Sequence, residues 1–298
     1  MTKFLQLVFE GTALGAGYAL VALGFVVIYR ATGVINFAQG GFVLLGAYLT
    51  YNFNTTWGLP FWVSVFLAVV CGALVGALVE ALILRRMVGQ PQFAIIMLTI
   101  GLLFIIDQIV PSVWGYDALN LGDPWGLDTT DIGGLVLSHR SLATLALAAG
   151  VLTAFFVYFK YSTMGIAMRA TAIDQEAALA QGISARRVFA VSWAIAGGVA
   201  AIAGVTQAAG AAALAPTVGL VALRAFPAMI LGGLDSPPGA VVGGVLIGIT
   251  QNLTAGYQPD MAPWLGNNFH LVMPYVVMVI ILMVRPYGLF GTPEVQRA

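Results

Sequence analysis

Long apolar runs, separated by short polar or Gly- and Pro-containing segments, fill almost the whole chain of 298 residues. A helix needs about 20 apolar residues to cross a hydrocarbon core of about 30 Å, because each residue adds about 1.5 Å. Only 8% of the residues are charged, whereas a soluble domain uses about 25%. The sequence therefore predicts an all-α polytopic membrane protein, with residues 1–298 forming a single transmembrane domain.

The apolar runs predict about nine transmembrane helices, within a range of eight to ten. The predicted spans are residues 4–29, 37–53, 60–84, 93–112, 141–159, 188–214, 218–233, 238–255 and 270–285. Several G-x-x-x-G pairs within them (11/15, 72/76, 239/243 and 244/248) are compatible with close helix packing. In a chain with 36 glycines such pairs also arise by chance, so they identify no particular contact.

The composition of two connecting segments disfavours a straight helix in each. Residues 30–41 place three glycines, an asparagine and a glutamine between apolar runs, and residues 216–239 contain Arg224, Pro227 and several further Gly and Pro residues. Interrupted segments in both halves of a chain are typical of a transport pathway between inverted repeats. We therefore expect broken or re-entrant helices and an inverted repeat, although both segments could also be ordinary loops.

The positive charges predict the orientation, because loops rich in Lys and Arg stay in the cytoplasm. Nine of the twelve Lys and Arg residues fall on one side if the spans alternate. They are Arg30, Arg85, Arg86, Lys160, Arg169, Arg186, Arg187, Arg285 and Arg297. This bias predicts an N-terminus outside the cell membrane and a cytoplasmic C-terminus.

Composition also excludes several functions. A net charge of +0 lacks the basic face that nucleic acids require. The single cysteine, Cys71, cannot form a disulfide framework or a cysteine-based metal site, and no metal site is expected. Neither Lys3 nor Lys160 follows a glycine, so there is no phosphate-binding P-loop. The chain is predicted to be a non-catalytic membrane subunit that binds no cofactor and does not hydrolyse ATP by itself.

Polar residues near the interrupted segments are candidates for a translocation path: Asn36, Gln39, Thr99, Thr217 and Arg224. For Asn36, Gln39 and Thr99, hydrogen bonds between packed helices are the alternative interpretation. Arg224 lies inside a span, where an unpaired charge is costly. We therefore expect Arg224 to face the helix bundle and to pair with Glu10, with Asp107 or with carbonyls of the broken segment.

Residues 160–187 form the one sizeable polar stretch on the predicted cytoplasmic side. Residues 167–181 lack Gly and Pro, which predicts a short amphipathic helix ended by Gly182 as its C′ residue. Its alanines suit a groove in another protein, but a solvated connector has the same composition.

Several motifs resemble the permease family of ATP-binding-cassette importers for branched-chain amino acids. Glu176-Ala177-Ala178-x-x-x-Gly182 is similar to the loop by which such permeases contact their ATPases. The segments at 17–24, 33–48 and 230–240 resemble the signature segments of that family in order and spacing, and the resemblance covers residues 11–290. The isoleucine and Leu-Pro that end the family's loop motif are absent here, since Ser192 and Ala194 stand there.

The resemblance implies the shorter permease of an importer in a bacterial inner membrane. The implied partners are a longer permease, two ATP-binding subunits that carry ATP and Mg²⁺, a periplasmic or extracellular substrate-binding protein, a small-molecule substrate and membrane lipid. The implied ATPase-coupling residues within 160–187 are Arg169, Ala170, Asp174, Glu176, Ala177, Ala178 and Gly182.

The substrate class stays open at this point. The family usually has a histidine and an acidic residue within 36–41, where this chain has Gln39 and Gly41. Branched-chain amino acids, urea or other amides, and aromatic or other carboxylic acids are all compatible. The alternative function is an ion-coupled secondary transporter, which needs acidic groups inside the membrane. Its candidates are Glu10, Glu80 and Asp107, each near the end of a predicted span.

Overall fold

The computed structural model describes residues 2–87, 89–126, 128–209, 214–266 and 268–292. Its eleven α-helices are α1 (Thr2–Thr32), α2 (Gln39–Tyr51), α3 (Phe61–Leu82), α4 (Gln92–Trp114), α5 (His139–Tyr161), α6 (Thr163–Ile173), α7 (Gln175–Ala180), α8 (Ala185–Ala208), α9 (Val221–Gly232), α10 (Pro237–Met261) and α11 (Phe269–Val284). A π-helical turn (Asn52–Thr56) follows α2, and 3₁₀ turns form at Leu84–Met87, Pro216–Leu220 and Pro263–Leu265.

The predicted all-α membrane fold is confirmed, with shorter helices at three of the nine spans. Within the described ranges, six helices are long and apolar enough to cross a membrane: α1, α3, α4, α5, α8 and α10. The runs at 37–53, 218–233 and 270–285 instead form α2, α9 and α11, which have 13, 12 and 16 residues. A helix of 13 residues is only about 20 Å long. Helices α2 and α9 therefore cover part of the membrane depth.

The two ends of the bundle can be distinguished by their contacts. At one end, strands β1 (Thr129–Ile132) and β2 (Leu135–Ser138) form an antiparallel hairpin, which the sequence did not predict. We call this end the hairpin face; the Lys3–Asp260 ion pair, at 3.1 Å, lies there. The opposite end carries α6 and α7, and we call it the loop face. Arg30, at the end of α1, donates there to the carbonyl oxygen of Asp235 at 3.3 Å.

Glycines let two pairs of long helices touch backbone to backbone. A Cβ added to Gly15 of α1 would lie 2.6 Å from the carbonyl oxygen of Gly244 in α10. A Cβ on Gly72 of α3 would lie 2.7 Å from the carbonyl oxygen of Gly197 in α8. Neither position has room for a side chain. The G-x-x-x-G pairs at 11/15, 72/76 and 244/248 thus mark these crossings, whereas the pair at 239/243 packs on α9.

These crossings also reveal the inverted repeat. The order long helix, short helix, long helix occurs in α1–α2–α3 and again in α8–α9–α10. The first helix of each unit crosses the third helix of the other, so α1 packs on α10 and α8 packs on α3. Likewise α2 packs on α8, and α9 packs on α1. Because α1 runs from the hairpin face to the loop face and α8 runs back, the units are related by inversion.

Adding a single methyl group should separate crossing glycines from lipid-facing ones. Gly15→Ala forces two backbones apart, and overpacking of this kind typically costs about 1–3 kcal/mol. Gly101→Ala in α4 is the matched control, because a Cβ there meets nothing within 4 Å. Thermal unfolding in detergent should show a lower Tm for Gly15→Ala and an unchanged or higher Tm for Gly101→Ala, since alanine favours helix. Equal Tm values for both variants would contradict the proposed close crossing.

Candidate translocation path and coupling loop

The break between α1 and α2 is held by polar side chains from two segments. Asn36 accepts a hydrogen bond from the backbone N–H of Ala38 through Oδ1, at 3.0 Å. Thr99 of α4 accepts from the backbone N–H of Phe37 at 3.2 Å and donates to the carbonyl oxygen of Ile96 at 2.9 Å. Backbone groups freed inside a membrane need such partners. Asn36 and Thr99 therefore stabilise the break, as the helix-packing alternative predicts.

Gln39 connects this break to the two most central helices. Its side chain is fully buried at the start of α2, and its Nε2 donates to the carbonyl oxygen of Ala196 in α8 at 3.3 Å. The same amide nitrogen occupies the space that a Cβ at Gly24 of α1 would need. Gln39 thus bridges α1 and α8 at the point where α2 begins.

Two polar atoms in this cluster have no partner. Asn36 Nδ2 and Gln39 Oε1 are buried and lack a hydrogen bond to any described residue. Leaving such a group unpaired costs about 1–3 kcal/mol. One amide donor and one amide acceptor beside the break are thus buried without a hydrogen-bond partner among the described residues.

The two interrupted segments predicted from the sequence meet at this cluster. The turn Pro216–Leu220 packs on the first turn of α2, where a Cβ on Gly40 would lie 2.7 Å from the carbonyl oxygen of Gly219. The carboxylate of Asp107 in α4 borders the same turn, and its buried Oδ1 has no partner among the described residues. Thr217 is exposed on the outside of the turn. Sequence reasoning placed Asp107 at a span end and missed its position here.

The predicted pairing of Arg224 with a carboxylate is wrong. Arg224 is exposed on α9, and its guanidinium interacts with the hydroxyl of Tyr18 in α1. That hydroxyl in turn donates to Gln251 of α10 at 2.9 Å. Glu10 instead accepts from Ser141 of α5 at 2.5 Å, because its part of α1 contacts α5. Arg224 therefore has a neutral partner, and its charge lies on the surface of this subunit.

The predicted coupling loop, residues 160–187, forms two helices where the sequence predicted one. Asp174 takes an extended conformation, with φ −153° and ψ 107°, and its Oδ1 accepts from the backbone N–H of Ala177 at 2.9 Å. Asp174 therefore ends α6 and caps α7, which is the role its side chain favours over a helix interior. Gly182, with a φ of 81°, ends α7 as predicted. The backbone N–H of Ile183 then donates to the carbonyl oxygen of Ala178 at 3.0 Å.

Two of the predicted coupling residues lie at the joint between α5 and α6. The guanidinium of Arg169 donates to the carbonyl oxygens of Phe159 and Lys160. It also lies over the ring of Phe159, 5.4 Å from the centroid. Ala170 is half-buried beside it, and its carbonyl oxygen accepts from the backbone N–H of Asp174. Arg169 thus fixes the angle at which the loop leaves α5.

The side chains of α7 divide between the chain itself and solvent. Ala178 is only 4% exposed, so its methyl group packs inside this subunit. The exposed side of α7 includes Glu176, Ala177, Leu179 and Ala180, and with Ile173 at the end of α6 it forms what we call the coupling surface. Ile173 is 85% exposed and Leu179 is 49% exposed. This part of the loop face therefore exposes two large apolar side chains, one from each helix.

Gln175 places the start of α7 next to the break. It lines a cavity of about 210 Å³ together with Val34 of the break and Glu80 of α3. Glu80 is buried and pairs with Arg85 at 2.8 Å. Gln175 also lines a second cavity of about 540 Å³ with Arg30 and Asp235. Gln175 therefore shares a cavity with each of the two interrupted segments.

Comparisons with known proteins agree with this architecture. Residues 7–282 match the model of a family described as "Branched-chain amino acid transport system / permease component". The permease protein LivH of Escherichia coli K12 is 29% identical, over 99% of this chain and 97% of that protein. The permease protein BraD of Pseudomonas aeruginosa is 26% identical, over 99% of this chain and 98% of its own length.

Two further comparisons concern subunit type and fold. The Escherichia coli K12 permease protein LivM is 26% identical over 94% of this chain, but the match covers only 69% of LivM. A chain of the solved structure of PsaBC from Streptococcus pneumoniae in complex with Fab superposes with a TM-score of 0.50 and 17% identity. That match covers 95% of this chain and 92% of the other. The chain therefore corresponds to the shorter type of permease and shares the fold of the PsaBC chain.

The hydrogen bond from Phe37 to Thr99 can be tested with a nearly isosteric change. Thr99→Val leaves the backbone N–H of Phe37 without its partner inside the membrane, which should cost about 1–3 kcal/mol. Thr250→Val is the control, because that exposed hydroxyl bonds only within its own helix. Thermal unfolding of both purified variants should show a clear fall in Tm for Thr99→Val alone. A matching loss in Thr250→Val would mean that the break does not depend on Thr99.

Proposed function

This chain belongs to the permease family of branched-chain amino acid transport systems, and from that premise we propose its role in an ATP-driven importer. It is the shorter of two different permease subunits, and the solute it carries is a branched-chain amino acid. The solute is inferred from LivH and BraD, permease proteins of high-affinity branched-chain amino acid transport systems that match this chain along nearly its whole length. ATP and Mg²⁺ are bound by two partner ATPases.

The meeting of the two interrupted segments supports the position of the translocation path. Asn36 and Gln39 supply a free amide donor and a free amide acceptor beside the contact of Gly40 with Gly219. Asp107 adds a carboxylate on the same side, and Thr217 and Arg224 are exposed on the neighbouring surface. Together they provide groups that can bind the ammonium and carboxylate of an amino acid as it passes. The longer permease closes the path from the other side.

The charges and the coupling surface support the direction of transport. The loop face holds Arg85, Arg86, Arg186 and Arg187, so it is the cytoplasmic side, and the N-terminus is outside. The coupling surface contacts an ATPase there, and Gln175 passes the movement of α7 to the break. The hairpin face, with Asp117, Asp128 and Asp131 exposed, receives the substrate-binding protein.

Reconstitution of the complete importer tests this proposal. Both permeases and both ATPases are placed in liposomes with ATP inside, and the binding protein and radiolabelled leucine are added outside. We expect leucine uptake that requires ATP and the binding protein and that continues when ionophores remove all ion gradients. The control carries ATPases with an inactivated catalytic site and should not transport. Uptake that is driven by an ion gradient without ATP would instead establish the secondary transporter.

A bulky charge on the coupling surface should uncouple transport from ATP hydrolysis. Ala177→Arg places such a charge on an exposed position of α7, so the subunit should fold normally. The ATPases should no longer copurify with it, and the rate of uptake should fall at least tenfold. Ala118→Arg, an exposed alanine near the hairpin face, is the control for ATPase retention, which it should leave unchanged. Ala178→Arg is less informative because that side chain is buried within the subunit. Normal copurification and uptake of Ala177→Arg would exclude α7 as the coupling element.

A further inference from the structure

A polar cavity at the hairpin face lies outside the proposed path. Its volume is about 300 Å³, and it opens between α1, α5, α8 and α10. Its principal lining residues are Glu10, Arg140, Ser141, Thr144, Thr206 and Asn252. No residue of α2, α4 or α9 lines it. The cavity therefore belongs to a different part of the bundle from the Asn36–Gln39 cluster.

The cavity contains one acidic and one basic side chain that are not joined to each other. Glu10 Oε2 accepts from Ser141, and Arg140 Nη2 donates to the carbonyl oxygen of Gln207 at 3.2 Å. Among the described residues, no ion pair with a nitrogen–oxygen distance of 4.0 Å or less joins Glu10 to Arg140. They are close enough that the carboxylate acts electrostatically on the guanidinium, as does Asp123, which does not line the cavity. The guanidinium of Arg140 and the carboxylate of Glu10 thus line the same cavity without forming an ion pair with each other.

Neutral polar groups complete the lining. Ser141, Thr144 and Thr206 are each more than nine-tenths buried. The hydroxyl of Thr206 donates to the carbonyl oxygen of Ala203, so its oxygen can still accept. Asn252 uses its Nδ2 to donate to the carbonyl oxygen of Leu7, which leaves its own carbonyl oxygen as an acceptor. These groups can bind an ammonium beside Glu10.

We propose that this cavity is a second binding site, for a zwitterionic solute of the α-amino acid class. The carboxylate of the solute binds the guanidinium of Arg140, which suits planar, two-oxygen recognition. Its ammonium binds the carboxylate of Glu10 and the neighbouring hydroxyl and amide oxygens. A solute with both charges can bind both side chains, whereas a solute with one charge can form only one of the two charge-assisted contacts. The site does not depend on the substrate assigned to the path.

Ligand binding here has a structural consequence. Glu10 lies on α1, and Arg140 lies in the first turn of α5. A bridging ligand would therefore join the most central helix to a peripheral one at their hairpin-face ends. Because a ligand that binds only the folded state stabilises it, saturation should raise the Tm of the complex.

Equilibrium binding measures this site directly. The probe is radiolabelled L-leucine, and the sample is the purified complex of both permeases and both ATPases without the binding protein. Leucinamide and 4-methylpentanoate, which each lack one of the two charges, serve as competitors. We expect them to compete at least tenfold more weakly than leucine, because each loses one charge-assisted contact. Glu10→Gln and Arg140→Gln should each weaken leucine binding at least tenfold.

Matched variants distinguish leucine bound in this cavity from leucine bound in the translocation path. The double variant Lys3→Gln, Asp260→Asn removes an opposite-charge pair from the same face but outside the cavity, and it should bind leucine normally. Gln39→Leu should impair uptake while retaining this binding. If Glu10→Gln does not fold, Thr144→Cys in a Cys71→Ser background keeps both charges, and leucine should slow its reaction with a thiol reagent.

Three outcomes would overturn the second site. They are no saturable leucine binding, equal competition by either singly charged analogue, and leucine binding that is lost in Gln39→Leu but normal in Glu10→Gln. The last outcome would assign the bound leucine to the path and leave the proposed importer intact. If ATP-driven uptake fails while Glu10-dependent leucine binding is normal, the second site is retained and the proposed importer is overturned.

Discussion

Direct contact between helix backbones at two crossings determines the arrangement of the other elements. In a bilayer no hydrophobic driving force distinguishes one helix from the surrounding lipid, so close packing must supply the attraction. Gly15 with Gly244, and Gly72 with Gly197, let α1 and α10, and α3 and α8, pack with their backbones in direct contact. The short helices α2 and α9 then occupy equivalent positions beside α8 and α1. The two interrupted segments are brought together as a result.

The polar cluster at that meeting point combines hydrogen bonds that support the break with polar atoms that have no partner among the described residues. Thr99 and Asn36 satisfy the backbone of the break, so the interruption itself is well supported. Asn36 Nδ2 and Gln39 Oε1 are nevertheless left unpaired in the interior. Buried polar atoms without partners are rare in folded proteins, and each requires an explanation. The hydrogen bonds stabilise the break, and the unpaired atoms are the basis of the proposed translocation path.

Much of this architecture could be predicted from the sequence, and the failures have physical causes. Apolar length predicted the spans, and the Gly, Asn and Gln residues of 30–41 predicted a break. Hydropathy does not report how a helix ends, so Asp174 as a cap, and with it the division of the coupling loop, was missed. Periodicity does not identify a partner helix either, so Arg224 was wrongly paired with a carboxylate and Ala178 was expected on a partner's surface. Such positions depend on contacts between residues that are distant in sequence.

Helix α1 is the most buried of the six long helices, because 89% of the residues in its 18-residue apolar stretch are buried inside the protein. Its principal neighbours, α8, α9 and α10, are all encoded in the second half of the chain. During synthesis α1 is therefore made before these neighbouring helices, and it enters the bilayer without them. The hydropathy of α1 makes this state stable, because lipid tails solvate its apolar side chains until α10 packs against it. Until then the glycine face of α1, at Gly11 and Gly15, lacks the backbone of α10 that covers it in the folded protein.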